Sequence, residues 1–178
     1  MDFWVGEYYN TDMKDTEKVI AKGLTQGLLG GFAGEGHIHA TKRGGIVDGK
    51  ASHVKVEDGE YHDEWFTGER TGGGQEVLVI GDKKYTRVYA GGATNEPILR
   101  QLGLTVDDVG NYLVDTLKEL GDTTRLSKDC TPEPDGKWQY MYEVTQIYGN
   151  TGTITGVETI HYDQLLVHVH AFAMCPIL

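Results

Sequence analysis

Hydrophobic residues recur every three or four positions in two parts of the chain, which is the spacing of an amphipathic helix. The first such pattern predicts a helix from about Thr16 to Leu28, after which a glycine-rich stretch, 27–36, leads into the first sheet. The second predicts a helix from Thr105 to Leu120, with Thr105 as N-cap, acids in the first turn and Gly121 at its end.

Between and after these helices, apolar and polar residues alternate in short runs bounded by turn residues, as in half-buried β-strands. The dipeptides Asp58-Gly59, Gly81-Asp82 and Asp163-Gln164 predict tight hairpin turns between neighbouring runs. The predicted strands are His37 to Arg43, His53 to Asp58, Tyr61 to Thr67, Glu76 to Ile80, Lys84 to Ala90, Trp138 to Tyr148, Thr153 to Tyr162 and Leu165 to Met174.

This order of elements predicts one α+β domain over residues 1–178. Its antiparallel strands form two hairpin sets, roughly α-β(4-5)-α-β(3), and we expect a curved sheet with the helices packed on one side. The 178 residues are enough for one domain with a substantial core.

Charge and composition narrow the function classes. With a net charge of −11, the chain repels phosphate backbones and anionic lipids, so we expect no direct nucleic-acid partner. No apolar run reaches the roughly 20 residues of a membrane span. An acidic N-terminus without a signal-peptide core, together with only two cysteines, predicts a reducing, cytoplasmic setting.

Three segments resemble a bacterial domain family of unknown function, whose members occur alone or C-terminal to Xre-type helix-turn-helix segments. These are an aromatic and acidic strand, Tyr61 to Phe66, a glycine-rich stretch ending in an acid, Gly72 to Glu76, and a hairpin end, Tyr89 to Gly92. The resemblance implies a similar fold and an intracellular setting. It implies no catalytic residue, because the family has no assigned chemistry.

The segment Gly44 to Lys50 has the glycine-to-lysine spacing of a phosphate-binding loop, but Ala51 replaces the Ser or Thr that would hold magnesium. It also lies between two strand-like runs, and Asp48-Gly49 predicts a turn there. A nucleotide site is therefore not expected.

Two His-x-His segments are the candidate metal ligands: His37 and His39, and His168 and His170. On a strand, alternation places both rings of a pair on one face. If the two strands met, four imidazoles would converge on a divalent transition metal such as zinc, with Glu64 or Glu76 as a further ligand. The alternative is that the first pair is solvated and the second is hydrogen-bonded within the sheet.

Aromatic and ionisable residues share strand faces, which is the composition of a ligand pocket. The candidate ligand-binding residues are Tyr61, Asp63 and Trp65 on one strand and Trp138 and Tyr140 on another. We therefore expect a small-molecule-binding domain with a pocket on the concave sheet face.

Two alternatives remain open at this stage. One is a metal-assisted or acid/base enzyme that uses the histidine pairs, Asp63 or Glu64. The other is a protein-interaction module. Open sheet edges also favour a homodimer, because dimerisation is one way to cover them.

Overall fold

The computed structural model describes residues 11–34, 36–125 and 127–178. A first helix, α1, is followed by five strands, two helices, a short 3-10 turn at Gly121–Thr123 and three further strands. The elements are α1 Thr11–Gly30, β1 Ile38–Arg43, β2 Val47–Val56, β3 Gly59–Thr67, β4 Thr71–Ile80, β5 Lys83–Ala93, α2 Glu96–Gln101, α3 Val106–Leu120, β6 Trp138–Tyr148, β7 Thr153–Tyr162 and β8 Leu165–Pro176.

All eight strands form one antiparallel sheet in the order β1-β2-β3-β4-β5-β8-β7-β6. The two predicted hairpin sets join where β5 pairs with β8, with Ala90 opposite Ala171. The predicted α+β class with antiparallel strands is therefore confirmed. The segment with α2 and α3 leads to β6 at the far edge of the sheet, and the two sets share a single sheet because β8 then returns beside β5.

Most hairpin turns lie where the sequence predicts them. Asp58, Gly81, Asp163 and Gln164 all have positive φ, between 51° and 69°, as tight antiparallel turns require. The predicted turn at Asp48-Gly49 is wrong, because both residues pair with β1 inside β2.

The actual turn between β1 and β2 lies four residues earlier than the predicted one. Gly44 and Gly45 have φ values of 58° and 70° there. Two consecutive glycines reach this left-handed region without a Cβ clash, so they compete successfully with Asp48-Gly49 for the turn.

Helix α1 runs beyond the predicted end at Leu28 into the glycine-rich stretch, as far as Gly30. Gly27 explains why glycine is tolerated there: a Cβ on this residue would lie 2.1 Å from the Tyr61 ring. The glycine thus allows the helix to approach β3 closely.

Helix α3 is fixed at its start by a capping box, in which Thr105 and Asp108 each bond the other's backbone N–H. It buries Val109, Leu113 and Leu117 in the same core that contains Tyr61 of β3 and residues of α1. Both helices therefore cover one face of the sheet. None of the helices in the described part of the chain is long and apolar enough to cross a membrane.

Candidate functional site

A cavity of about 370 Å³ lies between the helices and the covered face of the sheet. Its apolar wall comes from α1 and the turn that follows it, from β3 and from α3, and includes Leu28, Phe32, Trp65, Leu113 and Leu117. The rest of the lining includes exposed residues, such as Glu69 and Asp107, and a polar group that is largely buried: Glu76, Arg87, Arg125, Glu158, His168 and His170. We refer to these six residues as the polar floor.

Glu76 lies at the centre of a buried hydrogen-bond network. Its carboxylate accepts a bond from the Tyr61 hydroxyl at 2.7 Å and one from Arg87 Nη1 at 2.7 Å. Arg125 Nη1 donates to both carboxylate oxygens, at 2.6 and 2.7 Å. Strand alternation brings Glu76 and Arg87 to the same face of adjacent strands, where they pair directly.

Arg125 reaches Glu76 from the loop that follows the 3-10 turn. Its φ of 71° lies in the left-handed region, which is unfavourable for a residue other than glycine. Such strained residues persist where surrounding contacts fix them, often at functional sites. Here the two bonds to Glu76 hold Arg125 in place.

Electrostatic effects on Glu76 oppose each other. Burial alone would raise the pKa of its carboxyl group, but the charges of Arg125 and Arg87 lower the pKa below its ordinary value. Glu76 is therefore ionised at neutral pH, and the same pairing raises the pKa of Arg125. The centre of the polar floor is a fully charged, buried ion cluster.

Asp63 lies beside this cluster, and its pKa is shifted in the opposite direction from that of Glu76. Burial and the negative charge of Glu76 raise its pKa to about 7, although the Tyr89 hydroxyl donates to Asp63 Oδ1 at 3.1 Å and opposes the shift. Asp63 is thus close to half-protonated at neutral pH. Tyr89 lines the cavity, whereas Asp63 lies behind it.

A second buried group is formed by Glu158 of β7 with His168 and His170 of β8. The three side chains place potential ligand atoms within 4.8 Å of one another. The Tyr140 hydroxyl donates to Glu158 Oε1 at 2.6 Å, and His170 Nδ1 lies 3.4 Å from Glu158 Oε2. This arrangement has the nitrogen and oxygen donors that a borderline divalent metal prefers.

Charge states in this second group also depart from ordinary values. Burial would raise the pKa of Glu158, but the bond with His170 and the charge of Arg87 lower it. Burial, with repulsion from His170, lowers the pKa of His168 to about 4. At neutral pH Glu158 is ionised and His168 is neutral.

Several buried nitrogens of the polar floor have no hydrogen-bond partner among the described residues. They are the Nε atoms of Arg87 and Arg125 and the Nε2 atom of His168. Unpaired buried polar atoms cost about 1–3 kcal/mol each and are uncommon in native proteins. Three of the seven such atoms among the described residues thus belong to residues that line this cavity.

Glycines let the strands meet closely at the edge of the cavity. Gly91 has a φ of 148°, and a Cβ there would lie 1.9 Å from the carbonyl oxygen of Val169. Gly92 is similar, with a φ of 142° and a Cβ position 2.2 Å from the Arg70 carbonyl. The glycine-rich end of β5 therefore allows the two halves of the sheet to join beside the site.

The predicted ligand-binding residues are only partly assembled around this cavity. Tyr61, Asp63 and Trp65 are all buried on one face of β3, but of the three only Trp65 lines the cavity. Tyr140 lies behind Glu158 as its hydrogen-bond partner. Trp138 stacks on Tyr112 and contacts Tyr162, away from the cavity lining.

The two His-x-His pairs do not converge in the described part of the chain. His37 and His39 are exposed at the start of β1, and strands β2 to β5 separate β1 from β8. Only His168 and His170 belong to a group of potential metal ligands. The acid in that group is Glu158, whereas Glu76 binds the arginines and Glu64 pairs with Arg43 at the surface.

Sequence reasoning missed Arg87, Arg125 and Glu158. Arg87 alternates with Tyr85 and Tyr89 on β5, so strand periodicity contained a signal for its face. Glu158 faces His170 only through the register between β7 and β8. Arg125 comes from a loop without periodicity, and no sequence signal predicted its position.

The chain was compared with protein-family models, curated proteins and solved structures, and no match was found. The resemblance to a bacterial domain family therefore stays a prediction.

Proposed function

We propose that the protein binds a small organic molecule in the cavity between the helices and the sheet. In this proposal the apolar wall, with Phe32 and Trp65, encloses the body of the molecule, and the polar floor orients its polar group. The observation that carries the proposal is the combination of an apolar wall with a buried, charged floor in one cavity. Ligand sites typically combine these two features.

The size of the cavity suits a small ligand. Its volume of about 370 Å³ lies at the lower end of the range of about 300–1,000 Å³ for such sites. Phe32 and Trp65 already make an edge-to-face contact, with ring centroids 5.8 Å apart. An aromatic or heteroaromatic body fits a wall of this composition.

The charges of the polar floor indicate which kind of polar group the ligand carries. The floor holds two guanidinium groups, Arg87 and Arg125, and two ionised carboxylates, Glu76 and Glu158. Because these charges compensate one another, a ligand with a net charge would bring an unpaired charge into a buried site. We therefore expect an uncharged ligand with a polar group, such as a carbonyl oxygen, that accepts hydrogen bonds from the polar floor.

The position of Asp63 argues against its use as a general acid or base in the cavity. A general acid or base must come within hydrogen-bond reach of its substrate, directly or through a water. Asp63 has a pKa near neutrality, but Tyr89 separates it from the cavity.

The proposal can be tested with prodan, an uncharged aromatic dye whose emission shifts to shorter wavelength in apolar surroundings. The protein is first treated with a chelator, so that the outcome does not depend on metal. We expect saturable binding of one dye per chain.

Gly110 provides a blocking variant and its control. This residue borders the cavity from α3, and a Cβ there would meet no atom within 4 Å. Gly110→Phe should weaken dye binding by at least tenfold without unfolding the protein, whereas Gly110→Ala should bind the dye as the wild type does. Absence of saturable binding, or equal binding by Gly110→Phe, would contradict the proposal.

A further inference from the structure

Three potential metal ligands project from adjacent strands into one wall of the cavity. His168 and His170 alternate on β8, so both side chains lie on the same face. Glu158 pairs directly with His170 in the register of β7 and β8. The sheet itself, rather than a flexible loop, therefore positions all three side chains.

The spacing of the donor atoms is close to that of a metal centre. Around a tetrahedral zinc ion with bonds of about 2.0–2.2 Å, the ligand atoms lie about 3.3–3.6 Å apart. The donors of Glu158, His168 and His170 all lie within 4.8 Å of one another. His170 Nδ1 and Glu158 Oε2 already lie 3.4 Å apart, so small side-chain rotations that bring the His168 nitrogen closer would complete a site for one ion.

An unpaired nitrogen of His168 supports a metal site independently of the donor spacing. Its side chain is buried, with 6% exposure, and its Nε2 atom has no hydrogen-bond partner among the described residues. A buried imidazole nitrogen without a partner calls for an explanation, and an ion is one that fits. Such a nitrogen can donate its lone pair to a metal when the ring is neutral.

Tyr140 holds the carboxylate in the orientation that a metal site requires. Its hydroxyl donates to Glu158 Oε1 at 2.6 Å, which leaves Oε2 directed towards His170. Hydrogen bonds of this kind orient metal ligands in known sites. Arg87 brings a positive charge close to the group, but its Nη1 donates to Glu76 at 2.7 Å and so is directed to another carboxylate.

We propose that Glu158, His168 and His170 bind one divalent transition-metal ion, with its remaining coordination positions open to the cavity. Two imidazoles and one carboxylate are ligands for zinc, iron(II) and similar borderline ions. All three residues line the cavity, so water or a bound molecule completes the coordination. This inference does not depend on the proposed binding of an organic molecule.

Metal titration of the chelator-treated protein tests the site. We expect Zn²⁺ to bind with a stoichiometry of one in calorimetry. Co²⁺ should produce a visible absorption band that Zn²⁺ then abolishes. Absence of stoichiometric Zn²⁺ binding would overturn the proposal, whatever the result with prodan.

The chain offers a matched control, because His37, just before β1, and His39 on β1 have the same spacing but are exposed. His168→Ala and His170→Ala should each weaken Zn²⁺ binding at least about 100-fold, since loss of a group that only positions a ligand often costs about 10- to 100-fold. The double variant His37→Ala/His39→Ala should bind Zn²⁺ as the wild type does. A loss that follows His37 and His39 instead would overturn the proposal.

Two further variants keep the test decisive if His168→Ala destabilises the core. Glu158→Gln retains the size of the side chain but removes its charge, and it should also weaken Zn²⁺ binding at least about 100-fold. Tyr140→Phe should weaken binding by about 10- to 100-fold and change the Co²⁺ spectrum, because Tyr140 only positions Glu158. Unchanged Zn²⁺ affinity in folded Glu158→Gln would contradict the assigned ligands.

Discussion

Replacing Glu76 with glutamine perturbs the centre of the polar floor while keeping the size of the side chain. Glu76 is 1% exposed and accepts hydrogen bonds from Tyr61, Arg87 and Arg125. Glutamine removes the negative charge and leaves the two guanidinium groups buried together. Their mutual repulsion and lost pairing should destabilise the folded state strongly.

The expected loss in the free energy of unfolding is about 3–5 kcal/mol, the usual cost of removing one partner from a buried ion pair. Domains are stabilised by only about 5–15 kcal/mol in total. For a chain of this length, each kcal/mol lowers the melting temperature by about 2–4 °C. Glu76→Gln should therefore lower the melting temperature by about 6–20 °C.

Calorimetry or thermal unfolding followed by circular dichroism at pH 7 measures this change. Glu64→Gln on β3 is the matched control, because Glu64 pairs with the exposed Arg43 and such surface pairs contribute about 0–1 kcal/mol. A Glu76→Gln melting temperature within about 2 °C of the wild type, or equal to that of Glu64→Gln, would refute the reasoning.

The pH dependence gives a second check on the same variant. The folded-state pKa of Glu76 lies below its ordinary value of 4.5. Its charge therefore contributes stability that is present above about pH 4.5 and is lost as the pH falls through the folded-state pKa. The difference in stability between wild type and Glu76→Gln should narrow in acid.

Three other variants probe the surroundings of the site. The pKa of Asp63 is raised to about 7 from 3.8, so the buried carboxyl group destabilises the folded state as the pH rises through that window. In urea unfolding, Asp63→Asn should be more stable than the wild type at pH 8, and its stability should depend less on pH between pH 4 and 7. A pH dependence equal to that of the wild type would contradict the assigned pKa. Gly91→Ala places a Cβ 1.9 Å from the Val169 carbonyl oxygen and should lower the melting temperature measurably. Gly110→Ala places a Cβ in open space on α3 and should raise the free energy of unfolding by about 0.5–1 kcal/mol. Equal melting temperatures for the two variants would contradict this account.

The sequence predicts a helix or strand correctly where the signals for its two ends lie within or next to that element. Strand β7, Thr153–Tyr162, is predicted with its observed ends because turn residues bound an alternating run on both sides. Helix α3 is predicted because its capping residue and apolar stripe agree. At Asp48-Gly49 two turn signals competed, and local propensity could not rank them against the pairing of β1 with β2.

Of the candidate site, the sequence predicts only those features that follow from the alternation of side chains along a single strand. The spacing of His168 and His170 predicts that they share a face, as observed. Their partner Glu158 depends on the register between two strands, and Arg125 depends on a loop with positive φ. Neither property is encoded in a local pattern, so the ion cluster and the complete ligand group required the fold.

The indole N–H signals of the tryptophans in a ¹H–¹⁵N NMR spectrum test the cavity proposal most directly. Trp65 lines the cavity, whereas Trp138 stacks on Tyr112 outside its lining. Their signals can be assigned with Trp65→Phe and Trp138→Phe. On titration with prodan, the Trp65 signal should shift in a saturable way, while the Trp138 signal stays in place. An unchanged Trp65 signal at saturating dye, or a shift of Trp138 alone, would contradict binding in this cavity.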